Sequence, residues 1–170
     1  MRTVIVAHGL EGSPEGAKVQ ALRAAGLPVV APDGRGKVLA ERLPGVLEAV
    51  RAHPAAVLVG SSYGGLAALA AVHALHEAGE ALPSALVLLA PALMWNEAPV
   101  ADASTLRVPE PLPCTVIHGA QDEVVPIEVS QALVARCPHV RLLVRQDGHR
   151  LSATLPEIVA LVAASAAVAP

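Results

Sequence analysis

The chain has 170 residues and carries 12 Lys and Arg against 15 Asp and Glu, which gives a formal net charge of −3. It is 54% hydrophobic but only 1% aromatic, and 16% of its residues are charged. This composition excludes a disordered tail, because it can build a core, and it provides no basic field for a nucleic-acid partner. The length predicts one domain over residues 1–170 that buries roughly 70% of the surface its unfolded chain would expose.

An uncharged stretch over residues 55–75 raises the question of a membrane span. Gly60, Gly64 and Gly65 interrupt this stretch, so we expect neither a membrane segment nor a membrane partner. The N-terminus lacks the long apolar region and the cleavage site of a signal peptide. Only Cys114 and Cys137 are present, which fits a reducing compartment better than a disulfide scaffold. We therefore expect a cytoplasmic protein.

Short apolar runs rich in β-branched residues recur along the chain, with the length of strands that are buried on both faces. They cover residues 3–7, 29–31, 56–60, 85–90, 115–118 and 140–144. Ser13 followed by Pro14 predicts the start of a first helix, and Pro44 with Gly45 predicts the start of a second. The predicted helices cover residues 13–26, 44–52 and 63–79, a segment opened by Pro126, and residues 155–168.

Strand and helix therefore alternate six times. Because parallel strands need a right-handed crossover between them, this pattern predicts an α/β fold: a doubly wound, mostly parallel six-stranded sheet with helices on both faces. Residues 91–113 show no regular pattern, and this segment is too short to form a cap domain.

In such a sheet, functional side chains gather in the loops that follow the carboxyl ends of the strands. Residues 60–64, which follow the third predicted strand, read Gly-Ser-Ser-Tyr-Gly. The pattern Gly-x-Ser-x-Gly between a buried strand and a helix is typical of a nucleophile elbow, a sharp turn that exposes a serine at a strained backbone angle. Gly60 and Gly64 would let the strand and the helix approach closely. Ser62 is therefore the candidate nucleophile.

Several other loops make the chain resemble the α/β-hydrolase superfamily over nearly its whole length. Residues 118–126, His-Gly-Ala-Gln-Asp-Glu-Val-Val-Pro, look like that family's acid loop, and Gly148 with His149 looks like its histidine loop. Residues 8–10, His-Gly-Leu, resemble its oxyanion segment, and residues 33–36 resemble a loop that is usually structural. The antiparallel hairpin before the first strand and the long cap insertion are missing. The resemblance implies a small, lidless, bacterial esterase-like member.

The resemblance also implies roles for individual residues. In chain order it assigns Ser62 as nucleophile, Asp122 as the group that orients the histidine, and His149 as base and then acid. The backbone N–H groups of Leu10 and Tyr63 would form an oxyanion hole. Other carboxylates remain as alternatives to Asp122, namely Glu123, Asp147, Glu97 and Asp102. His8 is expected to stabilise its loop by hydrogen bonding.

The loop over residues 91–113 is the nearest equivalent of a cap. We expect its side chains Leu93, Met94 and Trp95, together with Leu10, to line an open substrate pocket. The predicted function is a serine hydrolase that cleaves a small carboxylic ester or thioester through an acyl-enzyme, with no cofactor and no metal. The alternative is a non-catalytic binding or interaction module that keeps the fold. Nothing in the sequence supports a homo-oligomer.

Two further groups of residues carry no predicted chemistry. His73 and His76 lie three residues apart on a predicted helix, but no third metal ligand accompanies them. Cys114 and Cys137 precede the fifth and sixth strands, so both are expected at the edge of the sheet opposite the active site.

Overall fold

The structure, a computed structural model, describes residues 1–167. Six strands form a sheet in the order β2-β1-β3-β4-β5-β6, and every neighbouring pair of strands is parallel. Their bounds are β1 Val4–Ala7, β2 Val29–Val30, β3 Val57–Ser61, β4 Ala85–Leu89, β5 Cys114–Gly119 and β6 Arg141–Arg145.

Helices cover both faces of this sheet. Their bounds are α1 Ala17–Ala24, α2 Leu39–Ala52, α3 Tyr63–Glu77, α4 Ile127–Arg136 and α5 Leu155–Ala166. Helices α2, α3 and α4 pack on one face, and α1 and α5 pack on the other. The predicted doubly wound α/β fold is confirmed, and each predicted strand is present within two residues of its expected bounds.

The uncharged stretch over residues 55–75 consists of β3 and α3. Strand β3 lies inside the sheet, and α3 packs between the sheet and α2, so the first ten residues of α3 are all buried. Small side chains such as Ala67, Ala68 and Ala71 let the helix lie close to its neighbours on both sides. Within the described residues, no helix combines the length and the apolarity that a membrane crossing would require.

The predicted start of the first helix at Ser13 and Pro14 is wrong. A turn forms there instead, in which the Ser13 hydroxyl accepts the Glu15 N–H at 3.2 Å and the Ser13 carbonyl accepts the Gly16 N–H at 3.0 Å. Gly16 then adopts an extended backbone conformation with ψ of 163°, which separates this turn from the helix. The helix therefore begins at Ala17.

The second helix also differs from its prediction, because it begins at Leu39 and runs through Pro44. Its buried apolar side chains Leu39, Leu43, Val46 and Val50 follow one helical stripe that Pro44 does not interrupt. Proline lacks an N–H and so removes one helical hydrogen bond, the one to the carbonyl four residues earlier. That residue, Ala40, is exposed, and water can satisfy its carbonyl. Burial of the stripe outweighs this local cost.

The C-terminal helix was predicted to reach Val168, which lies outside the described residues, and its last described helical residue is Ala166. The irregular segment over residues 91–113 contains a short 3₁₀ turn, Ala103–Thr105. Its apolar side chains Leu106, Val108 and Leu112 are buried against the core. This segment therefore packs along the protein rather than standing away from it.

Candidate active site

Ser62 occupies a sharp turn between the end of β3 and the start of α3. Its backbone has φ of 55° and ψ of −118°, in a region that residues other than glycine rarely adopt. Backbone hydrogen bonds hold it there: its N–H donates to the Leu89 carbonyl at 2.9 Å, and its carbonyl accepts the N–H groups of Gly65 at 2.8 Å and Ala92 at 2.9 Å. The neighbouring β4 thus fixes the strained residue in place.

Two glycines allow this turn to form. A Cβ atom on Gly60 would lie 2.6 Å from the Gly64 carbonyl oxygen, and one on Gly64 would lie 2.0 Å from the carbonyl oxygen of Ala7. Both distances are far shorter than a van der Waals contact, so a side chain at either position would push α3 away from the sheet. The close approach that the elbow pattern predicts is therefore present.

The structure brings Ser62, His149 and Asp122 together. The His149 Nδ1 atom lies 2.7 Å from Asp122 Oδ2, and its Nε2 atom lies 2.9 Å from Ser62 Oγ. An ionised carboxylate can only accept a hydrogen bond, so Nδ1–H donates to Asp122 and Nε2 accepts from the Ser62 hydroxyl. This is the arrangement in which a histidine can take a proton from a serine.

Asp122 is held in its ionised form. Burial of its side chain raises the pKa, but hydrogen bonds from His149 and from the N–H groups of Val125 and Val124 outweigh this effect and lower the pKa below its usual value. Both N–H groups donate to Oδ1 at 2.8 Å, while Oδ2 bonds to His149 and lies 3.3 Å from His118 Nε2. The carboxylate is therefore charged and fixed in orientation.

The loops that carry Asp122 and His149 are joined by backbone contacts. The Gln121 N–H donates to the Asp147 carbonyl at 3.0 Å. A Cβ atom on Gly119 would lie 2.3 Å from the same carbonyl oxygen, so only glycine lets the two loops approach this closely. The neighbouring strands β5 and β6 thus bring together two residues that are 27 positions apart.

The other carboxylates considered for the acid have different partners. Asp147 accepts the Thr154 N–H and hydroxyl, both at 2.8 Å, and so ties its loop to the start of α5. Glu97 accepts the Tyr63 hydroxyl, and Asp102 accepts the Ser104 N–H at 2.9 Å. Glu123 is exposed. Within the described chain, Asp122 is the carboxylate that bonds to His149.

The segment expected to supply an oxyanion donor lies beside the elbow. A Cβ atom on Gly9 would lie 3.6 Å from the Cβ atom of Ser62, so residues 8–10 pass directly next to the candidate nucleophile. Among the described residues, neither the Leu10 N–H nor the Tyr63 N–H has a hydrogen-bond partner. Both N–H groups are therefore unpaired in the described part of the chain, and their role as an oxyanion hole stays a prediction.

His8 is the first residue of this segment, and it is buried. Its Nδ1 atom bonds to the Gly9 carbonyl at 2.8 Å, and its Nε2 atom accepts the Gly34 N–H at 3.0 Å, so the ring is in its neutral form. Burial lowers the pKa of His8 from its ordinary value and is partly opposed by the hydrogen bond to Gly9. The bonding agrees with the loop-stabilising role expected for this residue.

The residues expected to line a substrate pocket lie in different environments. Leu93 is 3% exposed and belongs to the core, Met94 is 37% exposed, and Leu10 is 52% exposed. Trp95 packs against the Tyr63 ring, with 5.4 Å between ring centroids. Burial and the Glu97 carboxylate raise the pKa of the Tyr63 hydroxyl to about 12. The role of Leu93, Met94 and Trp95 in binding a substrate stays a prediction.

Sequence reasoning assigned no role to two buried polar residues near the site. His118, at the end of β5, bonds to the Ser130 hydroxyl at 2.7 Å and to the Val125 carbonyl at 2.8 Å, and it braces the loop that carries Asp122. Arg42 lies on the buried stripe of α2. The signal for both is a polar residue at a position where the surrounding pattern is apolar.

Comparison with known proteins supports a hydrolase. Residues 34–159 match the sequence model of the serine hydrolase (FSH1) family. No curated protein sequence matches the chain.

Solved structures match almost the whole chain. One, of a protein from Agrobacterium vitis S4 assigned to the hydrolases, has a TM-score of 0.80 at 21% identity and covers 98% of this chain and 88% of its own. Another, from Xanthomonas campestris pv. campestris and assigned to the α/β superfamily of hydrolases, has a TM-score of 0.76 at 27% identity, with coverages of 96% and 97%. Est1E from Butyrivibrio proteoclasticus has a TM-score of 0.75 at 22% identity, with coverages of 95% and 85%. The chain therefore belongs to the serine hydrolase (FSH1) family, within the α/β-hydrolase superfamily.

Proposed function

We propose that this protein is a serine hydrolase that cleaves a small carboxylic ester or thioester through an acyl-enzyme intermediate. The observation that supports this most strongly is the unbroken hydrogen-bond chain from Ser62 Oγ through His149 to Asp122, with distances of 2.9 and 2.7 Å. A serine hydroxyl is a weak nucleophile at neutral pH, and it needs both a base within reach and a group that orients the base.

The reaction follows from this geometry. Ser62 Oγ attacks the ester carbonyl carbon while its proton passes to His149 Nε2, and Asp122 stabilises the imidazolium that forms. The carbonyl oxygen becomes an anion that accepts hydrogen bonds from the Leu10 and Tyr63 N–H groups. His149 then gives its proton to the leaving alcohol or thiol, and the acyl group stays on Ser62. Water attacks this acyl-enzyme by the same steps, which releases the acid and restores the serine.

The surroundings of Ser62 favour a small substrate. Leu10 and Met94 are both more than one-third exposed. The irregular segment over residues 91–113 is tied to the core through Leu106, Val108 and Leu112, and it does not form a separate cap domain. A long acyl chain would find little apolar surface to bury, so we expect short-acyl esters to be the better substrates.

A pair of serine variants tests the proposal. Ser62→Ala is expected to lower kcat/KM for p-nitrophenyl acetate by on the order of 10⁴ or more, because the nucleophile is removed. Ser61→Ala is the matched control, since it removes the neighbouring hydroxyl, which is also partly exposed, and it should keep wild-type activity. Equal activity of the two variants would contradict the proposal. A wild-type protein that turns over no ester or thioester would favour a binding module instead.

A further inference from the structure

Arg42 is a buried cation that the reaction described above does not use. It lies on α2 with 5% of its surface exposed, on the same stripe as Leu39 and Val46. Among the described residues, no carboxylate lies within ion-pair distance of its guanidinium group. Burial of a charge is costly unless hydrogen bonds compensate for it. The partners of this group therefore indicate what it does.

The hydrogen-bond partners of Arg42 are all backbone carbonyls: Nε donates to the Lys37 carbonyl at 3.1 Å, and the two terminal nitrogens donate to the segment beside Ser62. Nη1 donates to the His8 carbonyl at 2.7 Å, and Nη2 donates to the Gly9 carbonyl at 3.4 Å.

The Gly9 carbonyl and the Leu10 N–H belong to one planar trans peptide, in which the two groups point in opposite directions. The Gly9 carbonyl also accepts His8 Nδ1–H at 2.8 Å and the Gly12 N–H at 3.1 Å. Among the described residues, the guanidinium is therefore one of three donors that hold this carbonyl, and together they aim the Leu10 N–H away from Arg42.

The same guanidinium contacts the residue after the nucleophile. Its Cζ atom lies 4.7 Å from the centroid of the Tyr63 ring, which is the geometry of a cation–π contact. The Tyr63 hydroxyl donates to Glu97, so the ring is held both at its face and at its polar end. The backbone N–H of Tyr63 is the second proposed oxyanion donor.

The loop over residues 33–36 leaves room for this contact. A Cβ atom on Gly34 would lie 3.0 Å from Arg42 Cζ, so a larger residue would displace the guanidinium. The Gly34 N–H also donates to His8 Nε2 at 3.0 Å. Gly34 therefore lies directly against the Arg42 guanidinium and is hydrogen-bonded to His8.

We propose that Arg42 is a positioning residue that sets both oxyanion donors, Leu10 through the carbonyls of His8 and Gly9 and Tyr63 through its ring. It contacts neither the substrate nor the reacting atoms. This inference rests on the proposed ester hydrolysis for its kinetic consequence, whereas its structural consequence at Leu10 can be measured whether or not the protein hydrolyses esters.

The test compares Arg42→Met with Arg51→Met. Arg51 lies on the same helix, is exposed and pairs with Glu80 at 2.7 Å, so its variant controls for loss of a cation from α2. Arg42→Met is expected to lower kcat for p-nitrophenyl acetate by about 10²–10³, the typical cost of one lost oxyanion donor, while KM stays near the wild-type value. Arg51→Met should change neither constant. A rise in KM with kcat unchanged would overturn the inference.

A measurement independent of turnover completes the test. The ¹⁵N order parameter of the Leu10 amide is expected to be near 0.85 in the wild type and in Arg51→Met and to fall toward about 0.6 in Arg42→Met. An unchanged order parameter would overturn the inference even if the protein hydrolyses no ester. If Arg42→Met does not fold, Arg42→Lys replaces it, because an ammonium keeps the charge but cannot bond both carbonyls as a planar fork. Wild-type kcat and wild-type Leu10 order in Arg42→Lys would also overturn it.

Discussion

The two ends of the parallel sheet both carry histidine and charged side chains, but they use them differently. At the carboxyl end of the strands, Ser62, His149 and Asp122 form one continuous hydrogen-bond chain. At the amino end, a cavity of about 370 Å³ lies between the end of α3, the irregular segment and the turn before β6. Its lining includes His73, His76, Arg107, Arg136, Cys137 and His139.

Polar groups at the amino end bond in separate pairs, and among the described residues Arg136 Nη2 is buried without a hydrogen-bond partner. Arg136 Nε donates to the Leu106 carbonyl at 2.7 Å, Arg107 donates to the Arg136 carbonyl, and His139 lies 3.5 Å from Glu110. None of these bonds connects to a nucleophile with a base beside it. The cavity therefore lies at the amino end of the strands, whereas the connected serine, histidine and carboxylate lie at the carboxyl end.

Removing one histidine from each end tests most strongly whether the two ends differ in their contribution to catalysis. His149→Ala is expected to lower kcat/KM for a short-acyl ester by on the order of 10⁴ or more, because residues that act as a unit lose most of their effect together. His76→Ala removes an exposed imidazole at the amino end and should leave kcat/KM unchanged. Comparable losses of kcat/KM in both variants, measured by steady-state kinetics, would show that both ends contribute to catalysis.

Packing provides a second contrast. Gly60→Ala is expected to destabilise the protein by about 1–3 kcal/mol, because the added methyl group overpacks the elbow, where it would lie 2.6 Å from the Gly64 carbonyl oxygen. Gly45→Ala is the matched control in α2, where the nearest atom would be 3.5 Å away. It should stabilise the helix by about 0.5–1 kcal/mol. Urea unfolding of both variants measures this, and a neutral Gly60→Ala would contradict the close approach of strand and helix.

The smallest expected effect concerns pH. Burial lowers the pKa of His8 below 6.5, a shift that nearby Arg42 reinforces and that Asp33 and the Gly9 hydrogen bond oppose. Below pH 6.5 the unfolded chain takes up a proton at His8 that the folded chain does not, so acid favours unfolding. The contribution of His8 to stability is therefore full above pH 6.5 and is lost as the pH falls.

His8→Gln removes this titration and keeps an oxygen that can accept the Gly34 N–H. Thermal unfolding on either side of pH 6.5 should show a weaker loss of stability in acid for His8→Gln than for the wild type. Parallel pH dependences for the two proteins would contradict a depressed pKa at His8.

Much of the fold could be predicted because local signals agree with the tertiary structure. Alternating buried strands and helices indicate a parallel sheet, and the turn glycines of the elbow mark where Ser62 lies. The start of α2 could not be predicted in this way. Pro44 favours a helix start locally, but a buried stripe that begins at Leu39 outweighs that preference.

The residues of the candidate site also differ in whether the sequence predicts them. Ser62 is predicted by the elbow pattern itself, whereas Asp122 and His149 are identified by the resemblance to a known family, since their loops follow its order along the chain. Arg42 could not be identified, because a charged residue on an apolar stripe does not reveal which carbonyls it meets. The bond between Tyr63 and Glu97 depends on the path of the irregular segment, which has no periodic signal.

Covalent labelling of the wild-type protein with a fluorophosphonate, followed by peptide mapping by mass spectrometry, tests the central claim most directly. Such a probe reacts at a useful rate only with a serine that a neighbouring base activates. The adduct is predicted on Ser62 in the wild type and is predicted to be absent in His149→Ala. An unlabelled protein, an adduct on another residue, or equal labelling of Ser62 in both proteins would contradict the account.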